Sequence, residues 1–227
     1  MIDLLLLAIS RLPNGLAIAG MTTEPDPITG LRWVRPIGDS LLVLDDLRFA
    51  DGSLARPGDV IHVELGEPLG APPHVENVAI ISGFDPVTKV RSLTDARREK
   101  FFPAYLDQSP KDVLGGRTRS LCLVKPDDFH AVFAIDEDGR YETRFVDLHI
   151  GRARSEDGLP INDIYWRAWG KQHVNEDEPF AEFAADELRA ILGDIYVVIG
   201  LNRRGTASIV GVHTLQALDV TLDEQAL

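Results

Sequence analysis

The residues best suited to chemistry in this chain are arginines that stand next to tryptophans. In the run Arg32-Trp33-Val34-Arg35-Pro36, strand alternation places Trp33 and Arg35 on one face. A guanidinium group offers paired hydrogen-bond donors and an indole offers a flat face for stacking, so such a pair could bind a phosphate-bearing ligand. The alternative is a structural role, with Trp33 in the core and the arginines bridging acidic side chains. The candidate ligand-binding residues of this first group are Ser10, Arg11, Arg32, Trp33 and Arg35.

A second group of similar composition lies in the C-terminal half. In an extended segment Arg152 and Arg154 share one face, Arg167 and Trp169 share one face, and Trp166 points away from Arg167. This group has the same two interpretations, either a ligand-binding surface or a hydrophobic anchor with surface charge. The candidate residues are Arg152, Arg154, Trp166, Arg167 and Trp169.

A third candidate is the pair Arg203 and Arg204, which occupies the turn between two apolar runs. A solvated turn is the default interpretation, because charged side chains are common in surface loops. In an OB-fold, however, the loop between strands four and five often contacts the ligand.

The sequence does not contain the residue patterns of a known catalytic or metal centre. The six histidines are scattered, and no His-Glu-x-x-His, P-loop or Gly-x-Ser-x-Gly motif occurs. The single cysteine, Cys122, lies in an apolar run and is predicted to be buried and inert. We therefore predict no catalytic residues, no metal and no cofactor, and an enzyme of an unrecognised type is the third alternative for function.

The charge of the chain limits the kind of nucleic-acid site it can hold. The net charge is −13. Residues 1–118 carry 12 basic and 16 acidic side chains, and residues 119–227 carry 11 and 20, which gives −4 and −9. An acidic surface repels phosphates, so a nucleic-acid or nucleotide site must be a local basic pocket. The apolar N-terminal run is far shorter than the ~20 residues of a membrane span, so we expect a cytoplasmic protein with no membrane partner.

The pattern of apolar residues and turns predicts two β-rich halves. The first half is predicted to have strands at 2–9, 16–21, 31–35, 60–65 and 75–81. Residues 85–108 are predicted to be mostly helical and 109–119 to be a linker, so we expect Lys111 to matter less for binding than Arg32 or Arg35. The second half is predicted to have three main strands at 120–124, 129–135 and 141–150, an extended segment at 164–169 that adds to their sheet after a loop, a helix at 179–192, and strands at 195–201 and 207–212.

This order of elements predicts the fold class and the domain boundaries. Three strands, a helix and two strands is the order of an OB-fold. The predicted fold is mainly β with some helix, with two OB-fold-like β-barrels joined by a helical connector. The predicted domains are 1–84 for the first barrel, 85–118 for the connector and linker, and 119–227 for the second barrel with a C-terminal tail.

Several segments together resemble the bacterial family of dual OB-containing domains. The matching segments are Ala8-Ile9-Ser10-Arg11, Ala17-Ile18-Ala19-Gly20, Arg32-Trp33-Val34-Arg35-Pro36, Phe49-Ala50-Asp51-Gly52-Ser53, Asp59-Val60-Ile61 and Ser120-Leu121-Cys122-Leu123-Val124. The resemblance covers most of the chain and is sharpest over residues 2–65. It implies two OB-folds, no enzymatic activity, and a role in bacterial conflict or nucleic-acid sensing.

From these observations we expect a non-enzymatic binding module. The favoured ligand is single-stranded nucleic acid or a nucleotide, held in local basic-aromatic pockets. The alternative is an acidic adaptor that binds a partner protein, a role that fits the negative charge of the chain.

Overall fold

The computed structural model describes residues 2–25, 27, 30, 32–81 and 87–222. Leu31, the first residue of the predicted third strand, lies outside the described residues, as do 82–86 at the predicted start of the connector and the tail residues 223–227. The structure is mainly β, as predicted. Its strands are β1 (Ile2–Leu12), β2 (Gly15–Thr22), β3 (Trp33–Ile37), β4 (Asp59–Val63), β5 (Leu65–Pro68), β6 (Asn77–Ile80), β7 (Thr88–Ser92), β8 (Leu121–Val124), β9 (Asp128–Ile135), β10 (Tyr141–Ile150), β11 (Ala153–Ser155), β12 (Leu159–Pro160), β13 (Phe180–Ala184), β14 (Ile195–Leu201) and β15 (Ala207–Thr214). Its helices are α1 (Asp95–Ala104), α2 (Pro110–Gly115), α3 (Ile164–Lys171) and α4 (Ala185–Leu192), with a 3-10 turn at Leu44–Leu47.

The N-terminal half is organised around one curled sheet of seven strands. The strand order is β5-β6-β3-β2-β1-β4-β7, and β3 pairs with β6 in parallel while the other pairs are antiparallel. Strands β1 and β2 form the predicted hairpin, with Ser10 opposite Ala17. A glycine is required at position 20, because an added Cβ would be only 1.9 Å from the Leu5 carbonyl oxygen of β1.

The C-terminal half contains two smaller sheets. One has the order β11-β10-β9-β13, with β12 also paired to β10, and the other has the order β15-β14-β8. The hairpin between β9 and β10 turns at Asp136, whose carboxylate accepts hydrogen bonds from the amides of Asp138 and Arg140. The turn is completed by Gly139, which has a φ of 77° that favours glycine.

The two halves pack directly on each other through strand β1. Alternate residues of β1 enter different parts of the core, with Leu4 and Leu6 on one side and Leu5 and Leu7 on the other. Leu5 and Leu7 belong to a cluster that also holds residues of α1, β8 and β14. Strand β15 approaches β1 so closely that a Cβ on Gly211 would be 2.1 Å from the Leu7 carbonyl oxygen. The strands of both halves therefore contribute residues to both parts of the core.

One predicted strand is a helix. Residues 164–169 were expected to be extended, but they lie in α3, which begins at Ile164 with Asp163 as its N-cap. The Asp163 carboxylate caps this helix by accepting a hydrogen bond from the Trp166 amide at 2.7 Å. The segment is only eight residues long and contains isoleucine, tyrosine and tryptophan, residues that are common in strands, so the short apolar run was assigned to the wrong element type.

The helix predicted at 179–192 begins later than expected. Residues Phe180–Ala184 form β13, which pairs antiparallel with β9, and α4 follows immediately. The Glu187 carboxylate accepts a hydrogen bond from the Ala184 amide at 2.8 Å, which fixes the start of the helix. Phe180, which was placed on the apolar helical face, is 59% exposed on the strand.

The segment predicted to be a helical connector also contains a strand. Strand β7 pairs with β4 and forms one edge of the N-terminal sheet, whereas α1 and α2 follow as helices. The five residues of β7 are all exposed, which gave no alternating burial pattern to detect. No helix in the described part of the chain has the length and apolar character needed to cross a membrane.

Candidate ligand-binding site

Trp33 lies in the core between the two halves of the chain. Its side chain is 2% exposed and belongs to the cluster formed with β1, β8 and β14. Val34 faces the other part of the core, so the alternation expected for this strand is present. The indole of Trp33 is therefore a packing group along most of its surface.

Arg35 shares the face of Trp33 but ends in a network of polar side chains. Its guanidinium donates to the Ser120 hydroxyl at 3.0 Å, lies 3.1 Å from the His74 Nδ1, and lies 3.4 Å from the Glu76 carboxylate. Glu76 is fully buried, so it requires a cationic partner at this position. Burial lowers the pKa of Arg35, and the Glu76 carboxylate acts in the opposite direction. The network joins the loop before β6 to the start of β8.

Arg32 points outward and contacts Tyr105. Its guanidinium donates to the Tyr105 hydroxyl at 3.0 Å and lies 5.0 Å from the ring centroid. With Trp33 these residues line a small cleft of about 330 Å³, in which Arg119 is already paired with Asp107.

Ser10 and Arg11 lie away from that cleft, at the far end of β1. Ser10 is buried, and its hydroxyl lies 3.5 Å from the Ala17 carbonyl. Arg11 is exposed, and its backbone amide donates to the Asn162 carbonyl at 2.8 Å. The first predicted group is therefore divided between the core, the small cleft and the junction with α3.

The aromatic members of the second predicted group lie in the core. The rings of Trp166 and Trp169 are 5.1 Å apart, and both pack against Phe133. Arg167 is 7% exposed and donates to the backbone carbonyls of Tyr141 and Ile161. These three residues hold α3 against the sheet.

A larger pocket of about 800 Å³ lies between the two halves, beside α2. Its rim contains Arg203 and Arg204 from the β14–β15 hairpin and Arg154 from β11, so it brings together residues from two of the predicted groups. Lys111 and Arg117, from α2 and the turn after it, complete the set of cations. Arg152 is exposed outside this lining.

The rim of this pocket is basic in a strongly acidic protein. Among the residues that the structure describes, no aspartate or glutamate lines the pocket. Arg154 lies 3.6 Å from Asp147, an exposed pair of the kind that contributes little to stability. The other four cations make no ion pair with any carboxylate in the described ranges. The rim can therefore offer its positive charge to a ligand.

The arginine pair stands on a rigid turn. The Asn202 side chain accepts hydrogen bonds from the amides of Arg204 and Thr206, at 2.9 and 3.0 Å. Gly205 has a φ of 81°, and its amide donates to the Asn202 carbonyl. Asparagine and glycine supply the geometry that such a turn requires, so the backbone that carries both arginines is held in place before any ligand arrives.

The floor of the pocket is aliphatic. It is formed by residues of β10, β12 and β14, and its main side chains are Leu148, Ile150, Leu159, Ile199 and Leu201. Pro72 and Pro73, from the N-terminal half, form part of the wall. An apolar floor under a rim of a few convergent charges is the usual composition of a small-molecule site.

A scan against protein-family models gave one match, which covers residues 2–168 and is described as the dual OB-containing domain. The chain belongs to this family. No curated protein and no solved structure matches the chain. The match includes Lys111, Arg117 and Arg154, whereas Arg203 and Arg204 lie beyond it. The rim of the pocket in this dual-OB chain therefore combines matched and unmatched residues.

Sequence reasoning did not place Lys111 and Arg117 at a candidate site. Both were assigned to the linker, whereas in the structure both line the pocket, and the expectation that Lys111 matters less for binding than Arg32 or Arg35 stays a prediction. A local signal was present, because Ser109 caps α2 by accepting from the Asp112 amide and Pro110 follows at the first helical position. That signal predicts a helix but does not show which surface the helix approaches.

The buried titratable groups of this dual-OB chain lie outside the lining of the pocket. Burial raises the pKa of Asp163 to about 7, although amides including those of Trp166 and Val212 donate to its carboxylate. Burial lowers the pKa of His213 to about 3, while its Nε2 lies 2.8 Å from the Leu7 carbonyl. Cys122 is buried, as predicted, and burial raises the pKa of its thiol to about 12.

Proposed function

We propose that this protein is a non-enzymatic binding module that holds a phosphate-bearing ligand, of the nucleotide or single-stranded nucleic-acid type, in the basic pocket. Membership of an OB-fold family supports a role in binding. The observation that carries the proposal is the rim of five cations in a chain with a net charge of −13.

The position of the rim also supports the proposal. In OB-folds, ligands bind across the face of strands two and three and touch the loop between strands four and five. Arg203 and Arg204 stand on the hairpin between the last two strands, and Arg154 follows the long strand β10. Arginine presents a planar set of donors that matches two phosphate oxygens at once.

The charge of the rest of the protein favours a local contact with the ligand. The second half carries a net charge of −9, so an extended polyanion would meet repulsion away from the rim. We therefore expect few phosphate contacts and a shallow dependence of affinity on salt concentration. A setting in bacterial defence, which the family resemblance implies, stays an expectation.

The proposal can be tested with a paired set of arginine variants. Binding of a fluorescein-labelled twelve-nucleotide oligothymidylate is measured by anisotropy, and binding of a nucleoside triphosphate by calorimetry, both at low salt. The double variant Arg203→Ala/Arg204→Ala removes two charge-assisted contacts, each worth about 1.5–3 kcal/mol, so affinity should fall at least about 100-fold.

The matched control is Arg140→Ala. Arg140 is also an exposed hairpin arginine, but it precedes β10, whereas the pocket meets the other end of that ten-residue strand. At ~3.3 Å per residue the two ends are roughly 30 Å apart. The control should bind like the unmodified protein. If neither probe binds, or if both variants lose affinity equally, the proposal is wrong and the adaptor alternative becomes the better hypothesis.

A further inference from the structure

We infer that the pocket accepts one nucleotide-sized phosphorylated unit, including the phosphorylated end of a strand, and does not hold a continuous run of single-stranded nucleic acid. This inference rests on the proposed function and specifies its ligand. It is carried by the chemistry of the floor, by the size of the pocket and the separate origins of its walls, and by the number of its cations.

The floor of the pocket does not supply a stacking platform for successive bases. OB-folds that bind a running strand stack bases on aromatic side chains. Among the described residues, none of the pocket lining is Phe, Tyr, Trp or His. The aromatic rings nearby in sequence are committed to the core, as Phe129 and Phe145 show by stacking on each other with centroids 4.0 Å apart.

An aliphatic floor can still hold a single base. A flat base packs between apolar side chains in the pockets of enzymes that take one base out of a strand. Leu148 and Ile199 are almost completely buried at the base of the pocket. Ile150 and Leu201 are half-buried and add apolar surface to its lining. One base can therefore be buried on the floor while its phosphates meet the arginines.

The walls of the pocket come from three separate parts of the chain. Pro72 and Pro73 belong to the N-terminal half, α2 belongs to the connecting segment, and the hairpin carries Arg203. The pocket volume of about 800 Å³ falls within the range of small-molecule sites. A running strand needs a groove that continues past both ends of the site, and OB-folds that bind such strands cover ~4–16 nucleotides.

The number of cations also limits the ligand. Five cationic side chains line the pocket, and Arg154 is partly neutralised by Asp147. If paired donors serve each phosphate, the pocket can neutralise about two or three phosphates, which for single strands predicts a salt slope of roughly −1.4 to −2.

A ligand-length series tests the inference. The probes are thymidine, thymidine 5′-monophosphate, and 5′-phosphorylated oligothymidylates of two, four and twelve nucleotides, each with a partner that lacks the 5′-phosphate. We expect affinity to stop rising at two nucleotides and the salt slope to stay constant beyond that length. Removal of the 5′-phosphate should reduce affinity about tenfold or more.

The variant Ala207→Phe tests the floor separately from the rim. Ala207 lines the pocket and is half-buried, so a phenyl ring there fills space that a base would occupy and removes no charge. We expect this variant to lose about tenfold or more in affinity for thymidine 5′-monophosphate and to keep its affinity for inorganic pyrophosphate. Thermal unfolding checks that the variant is folded. If the variant does not fold, the ligand-length series on the unmodified protein still tests whether the pocket holds a single phosphorylated unit.

The outcomes separate this inference from the proposed function. Affinity that keeps rising from two to twelve nucleotides, with a steeper salt slope, overturns the single-unit pocket and leaves the proposed function intact. Equal affinity with and without the 5′-phosphate overturns the inference in the same way. If no phosphorylated probe binds, the proposed function fails, and this inference fails with it.

Discussion

Arginines in two regions of this molecule differ in whether other protein side chains pair with them. Arg35, on a strand next to Trp33, is drawn into a buried network with Glu76 and Ser120. Arg203 and Arg204, on a hairpin tip without an aromatic neighbour, are exposed and make no ion pair with a described carboxylate. Arg35 of the basic-aromatic pattern is therefore held in a buried network, whereas the plainer turn leaves both of its arginines exposed.

The difference follows from where the two backbones lie. Strand β3 is covered on both faces, so each of its side chains must find a partner inside the protein. A hairpin tip projects into solvent, and its charged side chains are hydrated without protein partners. Availability for a ligand thus depends on the tertiary position of a residue more than on the residue types beside it.

The largest expected effect is on stability, from Arg35→Ala. This change leaves the Glu76 carboxylate buried without its cation, which typically costs about 3–5 kcal/mol of unfolding free energy. Chemical denaturation measures the loss, and nucleotide affinity of the remaining folded protein should be unchanged. The double variant Arg35→Ala/Glu76→Gln should recover part of the stability. If Arg35→Ala instead loses nucleotide binding while its stability is unchanged, Arg35 belongs to the ligand site.

Changes of pH should affect buried titratable groups of the core, Asp163 and His213, and leave the exposed hairpin tip unaffected. The pKa of Asp163 is raised to about 7, so its folded form binds a proton more tightly than the unfolded chain, and its contribution to stability declines as pH rises from about 4 through 7. The pKa of His213 is lowered to about 3, so stability from this group is lost as pH falls below about 6.5 toward 3. Each group changes the unfolding free energy by at most ~1.4 kcal/mol per pH unit. Between about pH 4 and pH 6.5 the two changes have opposite signs.

The measurement is the melting temperature from pH 4 to 8, for the unmodified protein and for His213→Gln. The variant should lose the acid-side decline and show the Asp163 slope alone. Affinity at the rim should change little from pH 6 to 8, because arginine and lysine stay charged there. A large change in affinity over that interval, with stability constant, would contradict this division between the buried titratable groups and the rim of the pocket.

A smaller loss of stability is expected from Trp33→Phe. The change removes part of a buried ring, so it should cost about 1–2 kcal/mol, less than the ~3–5 kcal/mol of truncation to alanine. Differential scanning calorimetry and nucleotide binding are measured on the same sample. If Trp33→Phe melts like the unmodified protein but binds more weakly, the indole belongs to a ligand site, and the contrast between the two regions no longer holds.

The smallest expected effect comes from Asn202→Ala. This variant loses the acceptor for the Arg204 and Thr206 amides, so the tip becomes less ordered and the cost of fixing the arginines on binding rises. We expect affinity to fall roughly fivefold, about 1 kcal/mol, with little change in melting temperature. Asn14→Ala, in the β1–β2 hairpin, is a control that should leave affinity unchanged.

The sequence by itself determined the features that depend on short-range patterns. Alternation and turn residues identified the hairpins β1–β2, β9–β10 and β14–β15, and apolar character identified the buried thiol of Cys122. The motif around Trp33 indicated the family, which the family match confirms. These signals are local because a strand buries alternate residues and a turn restricts φ wherever it occurs in a fold.

Only the tertiary structure decided the features that depend on distant partners. Helix α3 is short and contains residues that also favour strands, so its sequence left the element type open, and β13 is a strand because β9 offers it an edge. The pocket likewise exists because α2 and the Pro72 loop approach the hairpin from other parts of the chain. Charge is fixed by the sequence, but whether a given arginine is neutralised by a buried carboxylate or left for a ligand is decided by which residues the fold places around it.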